Sequence, residues 1–136
     1  MIRTKGFLHI TIGVTDLHRA TEFYKNVLCC ELVRSNRHMS FMKTGDDFFV
    51  LTATGMHTPP NPDGPPRQGN TLFHHAMIVE ADQFDDVAAW LDSHGVVYDD
   101  CTAHGHTTFP GRRHLYIKDP DGNSIELATE PIPELV

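Results

Sequence analysis

The sequence predicts an α+β protein made of two βαβββ modules that pair into a curved mixed sheet with an inward-facing metal cavity. Three observations lead there. A strand-then-helix pattern that starts at His9 starts again at His74. The residues after each helix read as a hairpin, and Ser40 to Ala53 lies against Leu115 to Ala128 without a gap. Neither module is large enough to bury its sheet face alone, so the repeat implies pairing. The 136 residues are expected to form a single domain: module 1 at about 7–54, a proline-rich linker or lid at 55–70, module 2 at about 71–129, and a tail at 130–136.

Taken in order, Ile10, Ile12 and Val14 alternate with His9, Thr11 and Gly13, the period of a strand with one apolar face. Asp16 is placed to cap a helix whose apolar stripe is Leu17, Ala20, Phe23, Tyr24, Val27 and Leu28. In the second copy Met77 and Val79 take the apolar strand face, Asp82 is the cap, and Phe84, Val87, Ala88 and Leu91 form the stripe. Gly95 ends this helix where the first copy has Cys30. Each hairpin turns on Gly and Asp, which supply tight-turn backbone angles. The run PPNPDGPPRQGN between the copies excludes regular helix or central strand, because proline fixes φ and removes a donor.

Composition narrows the function. A formal charge of -7 with one small basic cluster, Arg112, Arg113 and His114, argues against nucleic acid, whose binding needs clustered cations. No apolar run approaches the ~18 residues of a membrane span, and no signal-peptide core precedes the first strand, so a cytoplasmic protein acting on a small molecule is expected. Three cysteines give no zinc-ribbon or disulfide spacing and are expected to be reduced thiols. Ten histidines are the unusual count.

Strand alternation places His9 on the face opposite Ile10, Ile12 and Val14, and the same offset in the second copy selects His74. His75 then falls on the helix-covered face, although a register shift of one residue would exchange the two. Glu126 alternates with Ile125 and Leu127 and so faces the cavity. Two imidazoles and a carboxylate on converging strands fit a divalent metal, because a buried carboxylate needs a cation. The gap-free alignment sets Leu51 opposite Glu126, so a fourth ligand is absent. Three protein ligands with open positions favour Fe(II), with Mn, Zn, Ni and Co compatible. Tyr116, ten residues before Glu126, shares its face if the pairing register is even, and His114 has the same parity. His104 and His106 lie in a polar loop segment suited to proton transfer. Arg112 and Arg113 offer a bidentate anion clamp, with Arg113 the substrate-binding candidate.

The segments HITIGVTDLHRATEFYKNVL, HHAMIVEADQFDDVAAWLDSHGV and HLYIKDPDGNSIEL resemble the vicinal oxygen chelate superfamily of glyoxalases, bleomycin-resistance proteins and extradiol dioxygenases, over about residues 7 to 129. The resemblance implies metal ligation by His9, His74 and Glu126. It also implies extradiol-type dioxygenase activity on a catechol-like, vicinal-oxygen substrate, with Tyr116 bonding the ligated oxygen. His106 is the nearest match to the acid-base histidine, one residue off the usual spacing, with His104 the alternative. Glyoxalase-like isomerase, lyase or thiol-transferase activity, and metal-free drug binding, are the other functions it implies. A homodimer is its expected assembly.

Overall fold

A computed structural model of the chain describes residues 2, 3, 5, 7–54, 74–103 and 111–130. His104, His106, the expected linker and residues 131–136 of the tail lie outside the described residues. The chain forms two compact units, residues 1–57 and 58–136.

Unit 1 runs β1 (Ile10–Val14), α1 (Leu17–Asn26), β2 (Glu31–Ser35), β3 (Met39–Thr44) and β4 (Asp47–Ala53). Its sheet has the order β1-β4-β3-β2, with β1 parallel to β4 and the other pairs antiparallel. Unit 2 repeats the plan with β5 (His75–Ile78), α2 (Phe84–Ser93), β6 (Tyr98–Asp100), β7 (His114–Lys118) and β8 (Ser124–Ala128), in the order β5-β8-β7-β6. Each unit is thus the expected βαβββ module with its own mixed four-stranded sheet. No helix among the described residues is long and apolar enough to cross a membrane.

In unit 1 the apolar alternation buries Ile12, Val14, Phe49 and Leu51 on one face, with Tyr24 of α1 against Phe49 at a ring separation of 5.2 Å. Burying side chains of this size contributes roughly 1.5–3 kcal/mol each. Asp16 caps α1 as expected, accepting from the Arg19 N–H at 2.9 Å. The Thr21 hydroxyl reaches Ser40 at 2.8 Å, satisfying a polar pair inside this interface. The unit 2 core is equivalent: Met77, Leu115, Ile117, Ile125 and Leu127 are buried with Phe84 and Leu91 of α2.

Three local expectations are corrected. Gln83, not Asp82, stands at the start of α2 and makes no side-chain cap bond, because a turn closed by the Gln83 N–H on Glu80 O delays the helix by one residue. Helix α1 stops at Asn26, and the left-handed residue after it is Cys29 (φ 54), not Cys30, whereas Gly95 (φ 66) serves α2 as expected. The hairpins are not gap-free equivalents. Lys43 pairs with Phe48 and Lys118 with Ser124, so the second turn is one residue longer. Val50, paired with Thr11 and Phe41, therefore occupies the place that Glu126 has opposite Ala76 and Tyr116, while Leu51 matches Leu127 on the helix-covered face.

Candidate metal and substrate site

The site-bearing face of unit 2 follows from register. Ala76 pairs with Glu126 across β5 and β8, and Tyr116 pairs with Glu126 across β7 and β8. Side chains alternate along each strand, so Glu126, Tyr116 and His114 share one face, and His74, two residues before Ala76, joins them. His75 pairs with Ile125 and shares the buried face with Met77. Burial, with a smaller effect of His74, pushes the His75 imidazole down to about 4, so it is neutral near pH 7.

Glu126 is the hub. Its carboxyl side chain is 10% exposed and accepts three hydrogen bonds: from His74 Nε2 at 3.0 Å and Tyr116 Oη at 3.3 Å on Oε2, and from the Arg112 guanidinium at 2.9 Å on Oε1. Tyr116 packs edge-on between two imidazoles, 5.4 Å from His74 and 6.0 Å from His114 by ring centroid. Burial lowers the His114 imidazole below its ordinary range, Glu126 and Asp100 acting to raise it and Arg112 to lower it.

The two arginines separate by strand parity. Arg112 precedes His114 by two and lies against Glu126, whereas Arg113 forms an ion pair with Asp85 at 2.7 Å and stacks on Phe84 at 4.6 Å, both on α2. Among the described residues, then, Arg112 is the arginine on the Glu126 face, and Arg113 ties the start of β7 to the helix. The parity that separates them was present in the sequence, since Arg112, His114 and Tyr116 alternate with Arg113 and Leu115.

In unit 1, His9 immediately precedes β1, is exposed, and is in step with Thr11 and Gly13. The described residues bring no three His, Cys, Asp or Glu side chains into one cluster. The His74–Glu126 pair nevertheless suits a divalent ion. Two donors 3.0 Å apart have the spacing of adjacent positions on an octahedral ion whose bonds are about 2.1 Å long. Nitrogen and carboxylate oxygen are donors that Mn, Fe and Zn accept, and the buried carboxylate already attracts a cation in Arg112.

The chain belongs to the Glyoxalase/Bleomycin resistance protein/Dioxygenase superfamily, whose pattern matches residues 6–127. Its curated relatives include the metallothiol transferase FosB of Staphylococcus epidermidis, 26% identical over 89% of this chain and 79% of that protein. They also include the catechol-2,3-dioxygenase of Bacillus subtilis, 29% identical over 90% of this chain but only 40% of that protein. Among solved structures, the fosfomycin resistance protein FosX of Listeria monocytogenes, complexed with Mn(II) and sulfate ion, shares the fold at a TM-score of 0.73 and 21% identity, covering 97% of this chain and 95% of that one.

Proposed function

We propose that this chain is a divalent-metal-dependent enzyme that carries out a redox-neutral reaction of the glyoxalase-like isomerase, lyase or thiol-transferase kind on a small oxygen-chelating substrate. The observation that carries the reading is the Glu126 carboxylate, held at once by His74, Tyr116 and Arg112 on one sheet face. His9, His74 and Glu126 are the proposed ligands of one metal ion. Mn(II) is preferred to Fe(II), because the FosX relative is complexed with Mn(II). A homodimer is part of the proposal.

A bound metal ion would supply Lewis acidity to substrate oxygens. The chain's own residues do the rest. Tyr116 holds Glu126 Oε2 and keeps the His74 ring edge-on, limiting the freedom of both donors. The Arg112 guanidinium occupies Oε1, leaving Oε2 as the oxygen that faces His74. In a thiol transfer to a strained cyclic ether, the sulfur–carbon bond would form as a carbon–oxygen bond breaks, and the released oxygen would take a proton from solvent or a nearby acid.

Extradiol ring cleavage is the second reading. It is favoured by the pairing of Tyr116 with Glu126 ten residues later and by the dioxygenase relative, of whose length this chain spans less than half. Anaerobic assay separates the two. Full-length protein loaded with Mn(II) is expected to consume a thiol and an epoxide together under argon, and to show no oxygen uptake with catechols when loaded with Fe(II). Oxygen uptake with a catechol, and no anaerobic turnover of thiol–epoxide, α-ketoaldehyde–thiol or epimerisable substrates, would reverse the order.

A further inference from the structure

Unit 1 carries a feature that its repeat in unit 2 lacks. The β2–β3 register shifts between the pairs Leu32–Met42 and Arg34–Phe41, so Val33 is an extra residue in β2. In unit 2, Tyr98, Asp99 and Asp100 pair with Ile117, Tyr116 and Leu115 in unbroken register, so the module does not require such a bulge. Regular pairing would set Val33 opposite Phe41 and Arg34 opposite Ser40, which is 1% exposed beside Thr21 of α1. A guanidinium there would lose its water. The bulge instead brings Arg34 to the face of Phe41, where its guanidinium lies over the ring at 5.0 Å. At the matched position opposite Tyr116, unit 2 has Asp99, a charge of the other sign.

Phe48 shares this face of unit 1. It pairs with Lys43 and stands diagonal to Phe41, because Phe41 pairs with Val50. Phe48 is 48% exposed and Arg34 is exposed as well, so solvent reaches both. Glu31 is level with Lys43, so the charges of that row balance. Arg34 forms no ion pair among the described residues. A guanidinium stacked on a ring keeps its N–H edge for an acceptor.

We propose that Arg34 and Phe48 form a binding site for a small aryl carboxylate, with the carboxylate on the Arg34 edge and the aromatic ring on Phe48. Ring against ring removes from water the apolar area that Phe48 exposes, and the guanidinium offers parallel N–H donors to both carboxylate oxygens. The stack on Phe41 holds the guanidinium before the ligand arrives, which lowers the ordering cost of binding. The site lies within unit 1 and depends on neither the proposed metal ion nor the proposed reaction.

The test is a titration of the full-length chain with 2-naphthoate and with the uncharged 2-naphthalenemethanol, each with and without Mg(II), read from backbone amide resonances. 2-Naphthoate is expected to bind saturably and to shift the amides of Arg34 and Phe48. It should bind at least about tenfold more tightly than the alcohol, the range of hydrogen bonds to a charged group. Arg34→Met keeps an apolar stem and should bring the acid down to the affinity of the alcohol. Phe48→Ser should weaken both ligands alike. The comparison of acid with alcohol on the wild-type chain keeps the test decisive if a variant fails to fold. Absence of saturable 2-naphthoate binding, equal affinity for acid and alcohol, a preference for the acid that survives Arg34→Met, or binding that appears only with Mg(II) overturns the site.

Discussion

Unit 1 carries Thr11, Met39, Phe41 and Val50 at the register positions where unit 2 carries Ala76, His114, Tyr116 and Glu126. On the other face, Ile12 and Leu51 answer to Met77 and Leu127, apolar for apolar. Packing against a helix restrains one face of each sheet to shapes that fill a core, and a methylene gained or lost there is felt. On the opposite face the repeats differ at the matched positions, with His114, Tyr116 and Glu126 in unit 2 where unit 1 has Met39, Phe41 and Val50. The architecture is thus held in common by both units, and the hydrogen-bonded cluster around Glu126 belongs to the second.

The sharpest way to break this comparison is Glu126→Ala against Val50→Ala. Losing the hub carboxylate should lower Mn(II) affinity by more than about a hundredfold, beyond the 10–100-fold typical of an outer partner, while Val50→Ala leaves it unchanged; calorimetric titration measures both. The helix-covered faces should behave alike. Leu51→Ala and Leu127→Ala are each expected to cost about 2–5 kcal/mol in urea unfolding, since both side chains are buried. Tyr116→Phe keeps the ring against His74 and removes the bond to Oε2, so metal affinity should fall by about tenfold while the unfolding midpoint moves little.

Helix ends give a smaller contrast. Cys29 adopts φ 54 with a side chain, a conformation that costs roughly 1–2 kcal/mol, so Cys29→Gly should stabilise unit 1 by about 1 kcal/mol. Gly95→Ala, with open space around an added Cβ but φ 66, should destabilise unit 2 by a similar amount. The smallest effect concerns Cys30, whose thiol burial raises to about 11 from an ordinary value of 9.0. The unfolded chain ionises first as pH rises, so this contribution to stability is present below pH 9 and lost between 9 and 11. Correspondingly, iodoacetamide at pH 8 should label exposed Cys29 and spare buried Cys30 and Cys101 until the chain unfolds, as read by peptide mass.

Much of this arrangement was legible in the sequence because period-two alternation is a strong signal. It set His74 apart from His75 and put Tyr116 level with Glu126, as the registers have it. What it missed depended on single-residue shifts in turns. One additional residue between Lys118 and Ser124 moved the counterpart of Glu126 from Leu51 to Val50, a displacement that alternation within a strand cannot reveal. Val50 is also apolar, so the missing symmetric ligand stands on a different residue. The turn at 80–83 moved the α2 start past Asp82 in the same way. Strand parity separates the two arginines, sending Arg113 to Asp85 and leaving Arg112 beside Glu126. The stacked Phe84 and Asp85 are close in space but distant in sequence, and no local pattern announces them.

The proposed metal centre takes one divalent ion, with His74 and Glu126 as the unit 2 donors. Mn(II) titration followed by the loss of free-ion EPR signal tests it most directly. One Mn(II) per wild-type chain is expected, with retention in His75→Ala and loss in His9→Ala, His74→Ala and Glu126→Ala. Full binding by Glu126→Ala, or equal loss in His75→Ala, would contradict it.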